Sequence, residues 1–86
     1  MAIIETVERV SVPQVMDNGA KVVAFVPTEP DGRRGIVLCE WRSHDPYVTW
    51  QAYYNTRGEW VAEVGHYCSN YAKGYADFIE RVTRGY

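Results

Sequence analysis

The stretch YVTWQAYYNTRGEWVAEVGHY, residues 47–67, decides the fold because two strand-like runs flank a single turn. The first run alternates in the manner of a half-buried strand. The letters NTRG have turn chemistry, and a type I turn with Gly58 in the left-handed conformation would place Asn55 opposite Glu59. The stretch therefore predicts an antiparallel hairpin with a bulged turn.

The register of this hairpin follows from its apolar residues. The bulged turn pairs residues of one sheet face, nearly all of them apolar: Tyr54 with Trp60, Ala52 with Ala62, Trp50 with Val64, and Val48 with His66. A shift of one residue would instead bring Glu63 opposite Trp50, so the pattern favours the bulged register. We expect Trp50 and Trp60 to anchor the core.

Upstream, two further strand-like runs lie at residues 20–26 and 35–41, separated by Pro, Asp-Gly and Gly residues that are typical of turns. Together with the hairpin they predict a four-stranded antiparallel meander. The segment 3–12 fits both helical spacing and strand composition, and its β-branched residues favour a strand. The expected sheet therefore has four to five strands.

After Tyr67 the apolar period changes from two to about 3.6, which is typical of a helix. Ser69 or Asn70 can cap its N-terminus and Gly85 can end it. The residues at helical spacing are Tyr71, Tyr75, Phe78 and Val82. We expect this face to pack on the apolar sheet face, with Phe78 against the two tryptophans and Gly74 allowing a close approach. The predicted fold class is α+β: an antiparallel meander with one C-terminal helix on one face, in a single domain over residues 1–86.

Composition excludes several classes of protein. The 86 residues are 47% hydrophobic and 23% charged with a net charge of −2, which argues against disorder and against a protein that follows a phosphate backbone. No apolar run is long enough to span a bilayer, and the N-terminus lacks the pattern of a signal peptide. A cytoplasmic location is expected. The two cysteines lack the spacing of redox or zinc motifs, so both are expected to be reduced thiols.

Histidine, carboxylate and thiol groups form the first candidate site. A meander brings the loop with His44 and Asp45 to the same sheet edge as His66, with Cys68 just beyond. Such groups could bind zinc or perform acid–base chemistry. Against this, His66 is expected opposite Val48 on the core face, and the spacing matches no ligand signature. We therefore expect no metal and no cofactor, and keep an enzyme centred on His44 and His66 as the third hypothesis.

The opposite sheet edge carries Arg33, Arg34 and Arg57. Beside exposed tyrosines these arginines could hold phosphate or stack on RNA bases. A small nucleic-acid-binding module is therefore the second hypothesis. The net negative charge and the absence of a ribonucleoprotein-type aromatic motif weigh against it.

The outward face of the last two strands holds the third candidate site, a set of aromatic and apolar residues expected to point away from the core: Tyr47, Tyr53, Val61 and Tyr67. Tyrosine combines a large ring with a polar tip and is enriched at protein interfaces. The leading hypothesis is a non-enzymatic protein that acts by binding another protein or a second copy of itself.

A V-T-W strand, a turn, a strand ending in G-H-Y and a helix with D-F-x-x-R follow one another in the C-terminal half. The positions concerned are Val48, Thr49, Trp50, Gly65, His66, Tyr67, Asp77, Phe78 and Arg81. This order resembles small accessory proteins encoded by phages and prophages of actinobacteria. Gly74 departs from the pattern, in which an alanine would be expected. The resemblance implies a phage or prophage origin and an accessory role, and it implies no reaction.

Overall fold

The computed structural model describes residues 11–42 and 44–86, in which a four-stranded sheet carries one helix. The elements, in chain order, are β1 (Lys21–Pro27), β2 (Arg34–Glu40), β3 (Tyr47–Tyr54), β4 (Trp60–Cys68) and α1 (Tyr71–Arg84). The strands lie in the order β1-β2-β3-β4 and every neighbouring pair is antiparallel. The predicted α+β meander with a C-terminal helix is confirmed. The possible fifth strand falls mostly on residues 3–10, outside the described residues.

The β3–β4 turn has the predicted geometry. Gly58 has a φ of 80°, and the amide of Asn55 donates to the carbonyl oxygen of Glu59 at 2.9 Å. The Asn55 side chain accepts hydrogen bonds from the amides of Arg57 and Glu59, which stabilises the turn. The predicted pairs nearest the turn, Tyr54 with Trp60 and Ala52 with Ala62, are confirmed.

Further along the hairpin the predicted register is wrong, because β4 contains one extra residue. Thr49 pairs with His66 and Val48 with Tyr67, and the register shifts between Thr49 and Gln51. Val64 lies at this bulge with a φ of 51°, a conformation that a β-branched residue rarely adopts. Side chains alternate between faces along a strand, so the extra residue moves every later side chain of β4 to the opposite face.

The sheet buries residues on both faces, and the core is therefore divided in two. On the helix side, Phe78 packs with Ile36 and Leu38. The other side, here called the tryptophan side, holds a separate cluster: Met16, Ala20, Val37, Cys39, Val48, Trp50, Ala52 and Trp60. The expectation that Phe78 packs with Trp50 and Trp60 is therefore wrong.

The tryptophan side is covered by the segment that precedes β1. Met16 and Ala20 are each 2% exposed, and the amide of Asp17 donates to the carbonyl oxygen of Trp60 at 2.8 Å. Phe25 packs edge-on against Trp60 at 5.1 Å between ring centroids. Because this segment occupies the tryptophan side, α1 packs on the face that the sequence predicted to point outward.

The helix α1 begins and ends as its sequence predicts. The Asn70 side chain accepts from the amide of Lys73 at 2.9 Å, and Gly85 follows the last turn with a φ of 87°. Its buried residues are Gly74, Phe78 and Arg81. The expected close approach at Gly74 is confirmed, since a Cβ there would lie 2.9 Å from Cβ of Tyr47.

Candidate functional site

His66 and Asp77 form a hydrogen-bonded pair between β4 and α1. His66 Nδ1 lies 3.0 Å from Asp77 Oδ1 and 2.9 Å from Asp77 Oδ2. A carboxylate only accepts hydrogen bonds, so His66 Nδ1 is the donor in this pair. The His66 side chain is 40% exposed and that of Asp77 is 23% exposed. The pair is accessible, and the bulge at Val64 is what turns His66 towards the helix.

Thr49 and Arg81 extend this pair into the protein interior. Thr49 Oγ1 donates to Asp77 Oδ2, and Arg81 Nη1 lies 3.1 Å from both Oγ1 and the carbonyl oxygen of Thr49. Thr49 and Arg81 are 0% and 1% exposed, so the network connects a fully buried cation to a half-exposed histidine.

Arg81 is held by oxygen atoms from two strands. Besides Thr49, its Nη1 donates to the carbonyl oxygen of Val64 at 2.8 Å, and its Nε is buried without a partner among the described residues. Burial lowers the pKa of Arg81, while the negative charge of Asp77 opposes that shift. Arginine remains charged even so, and Asp77 is the nearby negative charge that compensates it.

The structure places Asp45 close enough to Cys68 for its charge to act on the thiol, but it does not gather His44, Asp45, His66 and Cys68 into one site. In the described ranges no three His, Cys, Asp or Glu side chains converge as metal ligands. His44 is exposed in its loop, whereas His66 turns to Asp77. Sequence reasoning connected His66 with the wrong carboxylate. The D-F-x-x-R pattern, which places Asp77 and Arg81 one helical turn apart, was the available signal for the actual network.

The two cysteines lie on opposite sides of the sheet as free thiols. Burial raises the pKa of the Cys39 thiol to about 12. The pKa of Cys68 is also raised, by burial first and then by the charges of Asp77 and Asp45, against an opposing effect of Lys73. Neither thiol has the lowered pKa of a nucleophile.

The predicted arginine edge is divided between the two faces of the sheet. Arg33 lies over the ring of Tyr54 at 5.7 Å, and Arg34 lies over the ring of Tyr53 at 5.5 Å. Adjacent residues of a strand point to opposite faces of the sheet, so the two arginine–tyrosine pairs lie on opposite faces. Each arginine also has an acidic neighbour at 3.9 Å: Asp31 for Arg33 and Glu29 for Arg34. Arg57 is exposed in the β3–β4 turn.

The four predicted contact residues do not share one face. Tyr47, Tyr53 and Val61 are half-buried on the helix side. Tyr67 is 56% exposed on the tryptophan side, its ring centroid 6.4 Å from that of Trp50. The common outward face expected from the sequence is therefore wrong, because α1 covers the helix side and the bulge reverses Tyr67.

An exposed surface lies along α1, and two of its residues, Tyr71 and Tyr75, were expected from the sequence to pack on the sheet. Tyr71 and Tyr75 are each 47% exposed and Ile79 is 43% exposed, one helical turn apart. We define the uncharged side of α1 as these three residues with the exposed small residues beside them: Ala72, Ala76 and Thr83. At 100° per residue, the five charged residues of α1 fall within an arc of about 100° on its other side. That segregation of charge was visible in the sequence and could have identified this surface.

The row of aromatic rings on this surface starts at the sheet. Tyr47 and Tyr71 meet edge-on at 5.3 Å, and Tyr71 and Tyr75 are stacked at 6.0 Å with an interplanar angle of 20°. Tyr47 is thus the one predicted contact residue that reaches the uncharged side of α1.

In the part of the chain that the structure describes, no helix has the length and apolar content to cross a bilayer. The chain matches no family model, and comparisons with curated proteins and with solved structures find no match either.

Proposed function

We propose that this chain is a small non-enzymatic accessory protein that acts by binding another protein, and that the uncharged side of α1 is its contact surface. The phage and prophage proteins that its C-terminal half resembles suggest the setting, the cytoplasm of a host cell. The observation that carries the proposal is the exposure of Tyr71, Tyr75 and Ile79 in one row.

The chemistry of this surface suits a protein contact. The cores of protein interfaces are depleted of charge and enriched in tyrosine, and this side of α1 has both properties. The charges of the helix lie elsewhere: Lys73, Asp77, Glu80, Arg81 and Arg84. Single exposed apolar residues are ordinary, but a contiguous row of three beside small residues is a recognised sign of a binding site.

The edges of the sheet are less suited to association. β1 has a register shift between Val22 and Ala24, and β4 has the bulge at Val64. Bulges interrupt the straight ladder of amide and carbonyl groups that an added strand needs. Val15 also bridges Lys21 at the start of β1. The helix surface is therefore favoured over edge pairing.

The two other hypotheses have weaker support. The acidic neighbours of Arg33 and Arg34 reduce the positive charge available to a phosphate backbone. The His66–Asp77 pair is already explained by its position in the network that compensates the buried Arg81. Among the described residues, neither the two arginines nor the His66–Asp77 pair is joined by a further side chain that is directed at a ligand.

Affinity purification from the host cell tests the proposal, with mass spectrometry for protein and a direct assay for nucleic acid. We expect the wild-type chain to retain protein without nucleic acid, and Tyr75→Glu to lose that protein. Arg34→Glu is the matched control at the other candidate site and should retain it. Enrichment of nucleic acid that Arg34→Glu abolishes would contradict the proposal.

A further inference from the structure

We infer that Asn18 is a site of spontaneous covalent modification, at which the side-chain amide is lost through ring closure onto the backbone nitrogen of Gly19. Asn18 lies in the turn that precedes β1, between two residues that belong to the cluster on the tryptophan side, Met16 and Ala20. The reactants are the chain itself and water. The site is on the other side of the sheet from α1 and is independent of the contact surface there.

The modification proceeds in two steps. The backbone nitrogen of Gly19 loses its proton and bonds to Cγ of Asn18, while the bond from Cγ to the side-chain nitrogen breaks, so that ammonia leaves and a succinimide ring remains. Water then adds to one of the two ring carbonyls and opens the ring. Opening at Cγ gives aspartate, and opening at the backbone carbonyl gives isoaspartate, in which the main chain runs through the side-chain carbons. Neither step oxidises or reduces the chain.

The residue that follows makes Asn18 more reactive than Asn55. Both side chains have the same local hydrogen bond, since Oδ1 of each accepts from the amide two residues further on, at 3.0 Å. Asn55 precedes Thr56, whose branched side chain crowds the attacking nitrogen. Asn18 precedes Gly19, which has no side chain. Asn55 is therefore an internal control that differs mainly in the residue that supplies the nitrogen.

The surroundings of Asn18 leave room for the ring and for water. Asn18 and Gly19 are both exposed. Apart from the chain neighbours of Gly19, no atom of the described residues lies within 4 Å of the position that a Cβ would take there. The succinimide can therefore form and be hydrolysed without displacing the core beneath the turn.

The hydrogen bonds of the turn slow the reaction in the folded chain. The Gly19 amide donates to the carbonyl oxygen of Met16 at 2.9 Å, and the Ala20 amide holds Oδ1 of Asn18. The Gly19 nitrogen must be released from Met16 before it can lose its proton and attack. Local opening of the turn therefore sets the rate, and we expect the folded chain to react roughly tenfold more slowly than the unfolded chain.

The isoaspartate product disturbs the segment that covers the tryptophan side. It adds one carbon to the main chain of a turn in which the Met16 amide donates to the carbonyl oxygen of Ala20 and the Asp17 amide to that of Trp60. Met16 and Ala20 are each 2% exposed, so the packed segment has little freedom to absorb the added length. The aspartate product keeps an acceptor for the Ala20 amide and only adds a negative charge. Isoaspartate at position 18 therefore lowers the stability of the folded chain.

Peptide mass spectrometry of the full chain, incubated folded at mildly alkaline pH, tests the modification. We expect the mass gain of amide-to-acid conversion to appear at Asn18 at least tenfold faster than at Asn55, with isoaspartate and aspartate forms separated by chromatography. The same chain unfolded in guanidinium chloride should convert at Asn18 roughly tenfold faster than the folded chain. Asn18→Ser keeps a side-chain acceptor and has no amide to lose, so its thermal unfolding temperature should stay constant during an incubation that lowers that of the wild type.

Equal conversion at Asn18 and Asn55 in the folded chain would overturn the inference, as would the absence of conversion at Asn18 in an incubation roughly a hundredfold longer than the unfolded chain needs. Asn18→Asp separates the two products, because it has the added charge without the added carbon. It should be more stable than the isoaspartate form purified from aged wild type. An isoaspartate form as stable as Asn18→Asp would contradict the effect on the tryptophan side.

Discussion

Arg81 Nη1 donates to the carbonyl oxygen of Val64 at 2.8 Å, which joins a fully buried cation of α1 to the residue where β4 adopts a left-handed backbone. Val64 is the one non-glycine residue with a positive φ in the described ranges. The hydrogen bond connects the position of the helix to the bulge, and the bulge turns His66 towards Asp77.

Arg81→Ala should lower the free energy of unfolding by about 3 kcal/mol, because it removes the hydrogen bonds to the carbonyl oxygens of Thr49 and Val64 and the positive charge that Asp77 faces. Chemical denaturation measures the loss. Arg84→Ala is the matched control in the same helix, since its ion pair with Glu80 is exposed and contributes about 0.5 kcal/mol at most. Equal losses for the two variants would contradict the role given to Arg81.

Val64→Gly should raise the free energy of unfolding by about 1 kcal/mol, because glycine adopts a positive φ without strain. Little packing is lost, since Val64 is 61% exposed. Val23→Gly is the control: this valine is 42% exposed in β1 without a positive φ, and its replacement should cost about 1 kcal/mol. A thermal unfolding temperature that falls equally in both variants would exclude strain at the bulge.

Gly74→Ala should destabilise the protein by about 1–2 kcal/mol, although alanine is the better helix former by about 1 kcal/mol. Its Cβ would lie 2.9 Å from Cβ of Tyr47 and 3.2 Å from Cδ1 of Leu38. At the exposed Ala76, the reverse change to glycine should also destabilise, by about 1 kcal/mol. A stabilised Gly74→Ala variant would show that the helix can move off the sheet at little cost.

Phe78 and Trp50 belong to separate clusters on the two sides of the sheet, so their substitutions should be additive. Phe78→Ala alone should cost about 3–5 kcal/mol. In a double-mutant cycle, the losses of unfolding free energy caused by Phe78→Leu and by Trp50→Phe should add to within about 0.5 kcal/mol. Phe78→Leu and Leu38→Ala share one cluster and should show a larger coupling. Strong coupling between Phe78 and Trp50 would restore the single core expected from the sequence.

The features that local chemistry determines were predictable. The turn at Gly58, the cap at Asn70 and the end of the helix at Gly85 each depend on residues within a few positions of one another. The bulge was not predictable, because a valine in the left-handed conformation contradicts its own preference and is held there by Arg81, distant in sequence.

The side of the sheet that α1 covers was also beyond prediction. Residues 36–39 of β2 are all buried, so both faces are apolar and the pattern does not choose between them. That choice decides the candidate surface: it places Tyr47 beneath α1 and leaves Tyr71 and Tyr75 exposed. The candidate His66–Asp77 pair follows from the same two non-local features.

The most direct test of the central proposal is the association constant of a paired set of tyrosine variants, measured by sedimentation for self-association and by titration for any captured protein. Tyr75→Ser should weaken association at least tenfold, about 1.4 kcal/mol, with little change in the free energy of unfolding. Tyr53→Ser, on a half-buried residue beside Arg34, should leave association unchanged. Association that is equally strong in wild type and Tyr75→Ser would contradict the claim that the uncharged side of α1 is the contact surface.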